Sequence, residues 1–259
     1  SSNMETDKCG EILIGGKLTT HSANVTTVNP YLNIAHAPIS IEKNSDKLKL
    51  TFKGVSVADF AEQQPITVYG TGTNPITVTG GVNVQNLTLR NISIPLTASQ
   101  DYPAISIKDN GSKLNLYLSG KNNLKGGSKS SGVSAGISVE ENASLAIYND
   151  ISSDEQKNGT GKLIVKGGAY IGNVAAGIGG NYGVSAGTIE IHGGTIRVEG
   201  GLPAFHGIGN GGGVSAGQTP VKFYSGSVDA SREWKNKTPH PFQNSKGEAV
   251  YLMTVNTGL

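Results

Sequence analysis

Side chains able to do acid–base or metal chemistry are sparse in this chain, and their spacing narrows what they can do. The 19 Asp and Glu residues are thinly spread, with local concentrations only at Glu140–Glu141 and at Asp150, Asp154 and Glu155. Cleaving a polysaccharide needs carboxylates that converge on one bond. Adjacent residues of a strand face opposite sides, so Glu140 and Glu141 cannot both line one site in strand geometry. Asp150, Asp154 and Glu155 lie in the polar run "NDISSDEQKNGTG", which reads as a solvated loop ahead of a calcium site. Cys9 is the single cysteine, so an internal disulfide and a cysteine metal site are both excluded. No catalytic residue, metal or cofactor is expected.

Binding chemistry is better represented. His192 and His206 each stand beside a Gly cluster, and aligning "EIHGGTI" with "KFYSGSV" sets His192 opposite Tyr224 and Glu190 opposite Lys222. An outward strip of His192, Arg197, Glu199 and Tyr224 would suit a glycan, since a guanidinium is a planar bidentate donor and a phenol a flat apolar face. The same residues also fit an ordinary solvated face, with Glu190 and Lys222 as a modest cross-strand pair. The Gly-rich edge around Tyr182 and His206 is the second candidate. "GIGNGG", Gly207 to Gly212, satisfies the G-x-G-x-x-G spacing, but a strand and not a helix is expected after it, so a nucleotide site is rejected.

The elements that must position these residues are announced by repetition. "GVSAG" occurs at Gly132, Gly183 and Gly213, and around it short alternating runs are divided by Gly pairs, as in "GTIEIHGGTIRVEGG". Looser copies are "PISIEKNSDKLKLTFKGVSV" from Pro38, "PITVTGGVNVQNLTLRNISI" from Pro75, "PAISIKDNGSKLNLYLSGKNNL" from Pro103 and "AGISVEENASLAIYND" from Ala135. Period-two alternation sends Ile189, Ile191, Ile196 and Val198 inward and Glu190, His192, Arg197 and Glu199 outward. Strands this short bury a core only by stacking coil upon coil. The expected fold is all-β, a right-handed single-stranded parallel β-helix (a pectin-lyase-like solenoid), with glycine at the corners. A propeller lacks its blade signature here.

Residues 1–37 read as a first coil or cap, 38–230 as the β-helix, and 231–259, where Pro239 and Pro241 interrupt the ladder, as a C-terminal cap or a junction to a further domain. Composition agrees: 259 residues, 37 of them Gly, 36% hydrophobic and only 15% charged, a mixture poor in helix formers. A net charge of +2 with Lys and Arg scattered along the chain gives no reason to expect nucleic acid or an anionic membrane as partner. No apolar run is long enough to span a bilayer.

The units "AAGIGG", "GTIEIHGGTIRVEGG" and "HGIGNG" resemble a family of bacterial surface β-helix proteins, of the kind common in Bacteroidetes and Clostridia, with AGIGG and GTIxIxGGT repeats. The resemblance is strongest over residues 160–230. It implies the fold, a secreted or cell-surface location, and adhesin-like or carbohydrate-binding activity, and it supplies no catalytic motif; the Ser/Asn/Thr-rich start before Glu11 resembles the tether that follows a removed lipoprotein signal, so a lipid anchor upstream of Ser1 is expected. The expectation is a non-enzymatic extracellular binding or adhesion module for a polysaccharide or surface glycan. The alternatives are a polysaccharide lyase or glycoside hydrolase on the same fold, and a structural spacer of a larger surface protein.

Overall fold

Short runs of alternating Ile, Leu and Val cannot make a helix stripe, and they form strands throughout. The computed structural model describes residues 29–150, 160–201, 207–214, 221–230, 242–243 and 249–250, and these contain no helix. They form a 13-stranded sheet, an 8-stranded sheet and two separate hairpins.

The larger sheet has two arms that share its longest strand, β7 (Asn83–Pro95). One arm stacks β1 (Tyr31–Asn33), β5 (Ile66–Thr71), the first part of β7, β9 (Lys113–Ser119), β14 (Ser144–Asn149), β19 (Thr188–Ile191), β22 (Val221–Phe223) and β24 (Phe242–Gln243), all in parallel. The other stacks the end of β7, β10 (Lys121–Lys125), β15 (Lys162–Lys166), β20 (Thr195–Glu199) and β23 (Ser227–Asp229), again in parallel. The 8-stranded sheet runs through β6 (Ile76–Thr79), β8 (Ile105–Ile107), β13 (Ile137–Val139), β18 (Ile178–Gly179) and β21 (Ile208–Gly209). From β8 onward the chain visits one arm, then the other, then the smaller sheet, and repeats the order.

Register follows from burial. Ile105, Ile137, Ile178 and Ile208 occupy one inward column, and Leu114, Leu145 and Ile189 another; all are buried. Each such side chain stabilises the fold by about 1.5–3 kcal/mol, and a one-residue slip would turn the whole set into water. Ile189, Ile191, Ile196 and Val198 point inward as the alternation requires. The buried Asn122 keeps a corner satisfied: its Oδ1 accepts from Ile92 N–H at 3.0 Å and its amide donates to Ser119 O at 3.2 Å and Lys162 O at 3.1 Å.

Two sequence expectations change. The segment from Pro38 is not a looser copy of the repeat: β2 (Ile39–Asn44), parallel to β6, is followed by antiparallel β3 (Lys47–Phe52) and β4 (Val55–Phe60). The turn joining β3 to β4 is Lys53–Gly54, both at positive φ (50° and 79°), the backbone of a tight hairpin, and Phe52 and Phe60 are buried behind it. The "GVSAG" copies are also not equivalent. The copy at Gly132 leads into β13 of the smaller sheet, whereas the copy at Gly183 leads into β19 of the larger one. The structural counterpart of "GVSAGI" is "NVAAGI": Ile137 pairs with Ile178, and the hairpin of β11 (Ser128–Lys129) and β12 (Gly132–Val133) is matched by that of β16 (Ala169–Tyr170) and β17 (Asn173–Val174). At the far end β25 (Ala249–Val250) returns antiparallel to β24.

Candidate functional site

The outward face of the 8-stranded sheet carries small hydroxyls in register. Thr77, Ser106 and Ser138 stand side by side between inward pairs of Ile and Val on β6, β8 and β13. They floor an open cleft of about 490 Å³, within the size range of small-ligand sites. On the next strand, β18, the same position is Gly179, whose Cβ would collide with the backbone of Gly209, so the hydroxyl floor stops there.

The walls come from segments flanking these strands. On one side Asp101 accepts a hydrogen bond from Ser131 Oγ at 2.8 Å, joining the segment before β8 to the β11–β12 hairpin. Gly132 is required at this contact, because a Cβ would run into the Asp101 carbonyl. Tyr102 is fixed by donating from its hydroxyl to Thr73 O at 2.6 Å. On the other side the outward alternation continues past the strands to Lys108 and Glu140, neighbours on successive coils, with Glu140 N–H donating to Ile107 O at 3.1 Å. The end is closed by Asn181, which accepts from Ala135 N–H at 2.8 Å, and by Tyr182, whose N–H donates to Val133 O at 3.1 Å. Tyr182 is 42% exposed and lines the cleft.

This lining is suited to a polyhydroxylated ligand. Ser, Thr and Asn both donate and accept, carboxylates accept from hydroxyls, and tyrosine rings offer flat apolar area. The two carboxylates, Asp101 and Glu140, flank opposite ends of the strand layer, one ahead of β8 and the other just past β13. Glu140 lines the cleft, whereas Glu141, in the turn that follows, is exposed and does not. Among the described residues no three His, Cys, Asp or Glu side chains gather as metal ligands.

A second feature lies on the first arm of the larger sheet. Tyr117, Tyr148, His192 and Tyr224 lie on or just past the successive strands β9, β14, β19 and β22 and stack ring on ring, with centroid separations of 5.0, 4.5 and 4.2 Å and interplanar angles of 15°, 11° and 9°. His192 Nε2 is 2.9 Å from Glu190 Oε1, and Glu190 pairs in register with Lys222. Burial pushes the Tyr148 phenol above its ordinary value, and Tyr117, Glu190 and Tyr224 push it the same way.

The strip expected from sequence is therefore divided. His192 and Tyr224 do meet, and with Tyr148 on the other side of the imidazole both faces of His192 are covered, while the Tyr224 ring has one face on His192. Arg197 is across the Gly193–Gly194 corner on the other arm, with Nε 3.8 Å from Asp229 Oδ2. Glu199 does not face water: it is 5% exposed, because the alternation of β20 ends there and runs into the buried Gly200 and Gly201. Asp150 lies 3.7 Å from Arg90. His206, Asp154, Glu155, Pro239 and Pro241 lie outside the described residues. "GIGNGG" spans β21 and a turn. Sequence reasoning missed Ser106, Ser138, Tyr102 and Asp101 in the cleft, and Tyr117 and Tyr148 in the stack. The chain matches no protein-family model, and neither a similar curated protein nor a similar solved structure is found.

Proposed function

We propose that this chain is a non-enzymatic, extracellular or cell-surface binding module that holds a segment of polysaccharide or surface glycan in the cleft over β6, β8 and β13. The observation that carries the reading is the cleft lining: a floor of Thr77, Ser106 and Ser138 between walls that present Tyr102, Tyr182, Asn181 and Asp101. Directional hydroxyl and amide contacts give orientation, and the tyrosines supply apolar area. The placement of Asp101 and Glu140 at opposite ends of the strand layer favours holding a chain over cutting it, since hydrolysis places two carboxylates about one scissile bond.

The same proposal takes the coils to wind as a right-handed single-stranded parallel β-helix over residues 38–230, entered through the β2–β4 meander. Parallel pairing between successive coils supports it, as does the strong right-handed preference of parallel crossovers. The AGIGG-type units support a surface location. The test is a glycan array run beside reducing-sugar and unsaturated-product assays on the polymers that bind. Saturable binding without product release is expected; product formation that persists through repurification would replace the binding module with an enzyme.

A further inference from the structure

We propose a second binding surface, for a uronate-bearing polysaccharide, on the outward face of β10 and β15. In the parallel register of these strands Lys121 lies directly against Lys162, and Lys125 against Lys166. Stacked coils are about 4.8 Å apart and the two lysine pairs about 13 Å apart along the strand, so four ammonium groups mark the corners of one narrow rectangle. Lys121, Lys125 and Lys162 are exposed and Lys166 is half-buried.

Like charges directly opposite one another destabilise a sheet, and elsewhere this molecule avoids them. Glu42 faces Lys49, Glu190 faces Lys222 and Arg197 faces Asp229. Among the described strands only β10 and β15 stack lysine on lysine, and they do so at both ends of the pair. On the outer side Lys162 is followed by Thr195 and Lys166 by the buried Glu199, so a carboxylate stands beside the second pair and not beside the first. Such a repeated cost in folding is relieved when an anionic chain lies across the strip and neutralises both columns.

A polysaccharide fits better than a membrane or a nucleic acid. Between the lysines lie Asn123 and the half-buried Ile164, neither an exposed ring to stack a base nor an apolar wedge to enter lipid. The exposed Tyr170 and Ile171 stand beyond the Gly167–Gly168 turn, on the β16–β17 hairpin. This surface is separate from the cleft, and either can fail without the other.

The test measures the whole chain against polygalacturonate, neutral dextran, phosphatidylserine vesicles and a single-stranded oligonucleotide, at low ionic strength and at about 0.15 M salt. Wild type should bind polygalacturonate at least about tenfold more tightly than any other probe, with affinity falling as salt rises. Lys121→Glu/Lys125→Glu turns both like-charge pairs into opposite pairs without setting a second carboxylate against Glu199; it should lose at least about tenfold in affinity while its melting temperature rises. Lys121→Gln/Lys125→Gln should show the same separation, and Lys162→Arg/Lys166→Arg should keep binding. No binding of polygalacturonate by wild type, equal binding of vesicles or oligonucleotide, or variants that bind within about twofold of wild type would overturn the proposal.

Discussion

Tyr148 sits between the rings of Tyr117 and His192, and its burial links a single phenol to stability at alkaline pH. An unfolded chain ionises this group near the ordinary value of about 10, the folded one only above it. The contribution is therefore complete below about pH 10 and is lost as pH rises through the higher folded value. Tyr148→Phe should melt less steeply with pH than wild type between about pH 9 and pH 11; parallel curves for the two proteins would show that the stack does not hold this phenol neutral. The pairing of His192 with Tyr224 was legible because two adjacent repeats align without a gap. Tyr117 and Tyr148 carried the same signal, an aromatic directly after the second apolar residue in "LNLY" and "LAIY". It was hidden because "NDISSDEQKNGTG" lengthens the coil between them and the clean repeats.

On the scale of elements, the aromatic stack ties four neighbouring strands of one arm together where backbone pairing alone would hold them. Aromatic contacts contribute about 0.5–1.5 kcal/mol each beyond their buried area, and His192 makes two. His192→Ala should therefore lower stability by roughly 1–3 kcal/mol in denaturant unfolding, while His192→Tyr should restore most of it; an alanine variant as stable as wild type would reduce the stack to coincidence. The strands of the later coils could be read directly, since "TIEIHGGTIRV" alternates cleanly and all four of its inward residues are buried. The meander could not be placed that way. Alternation is the same for parallel and antiparallel strands, and the deciding signal was the two-residue Lys53–Gly54 turn. Glu199 failed for a related reason: alternation gives direction only while the strand lasts.

For the whole molecule, charge and chemistry are organised across paired strands and not along the chain. Lysines that are spaced widely in sequence become stacked pairs once β10 and β15 pair, and hydroxyls from three separate coils become one floor. Neither pattern can be read without the coil-to-coil register, which is why Ser106 and Ser138 looked unremarkable in sequence while Tyr182, marked by its Gly-rich setting, did not. The account stands or falls on whether the cleft holds a glycan. The direct measurement is calorimetric titration of the array-selected glycan into wild type, Tyr182→Ala and Asp101→Ala, with melting temperatures taken on the same samples. Tyr182 is 42% exposed, so Tyr182→Ala should keep stability within about 0.5 kcal/mol, as surface changes do, while Asp101→Ala should lose about 0.5–1.5 kcal/mol with its hydrogen bond from Ser131. Affinity should fall by about 1–3 kcal/mol in each, the loss expected when a ring contact or a charged hydrogen-bond acceptor is removed. Affinities equal to wild type in both variants would contradict the account, because the ligand would then be held somewhere other than the cleft.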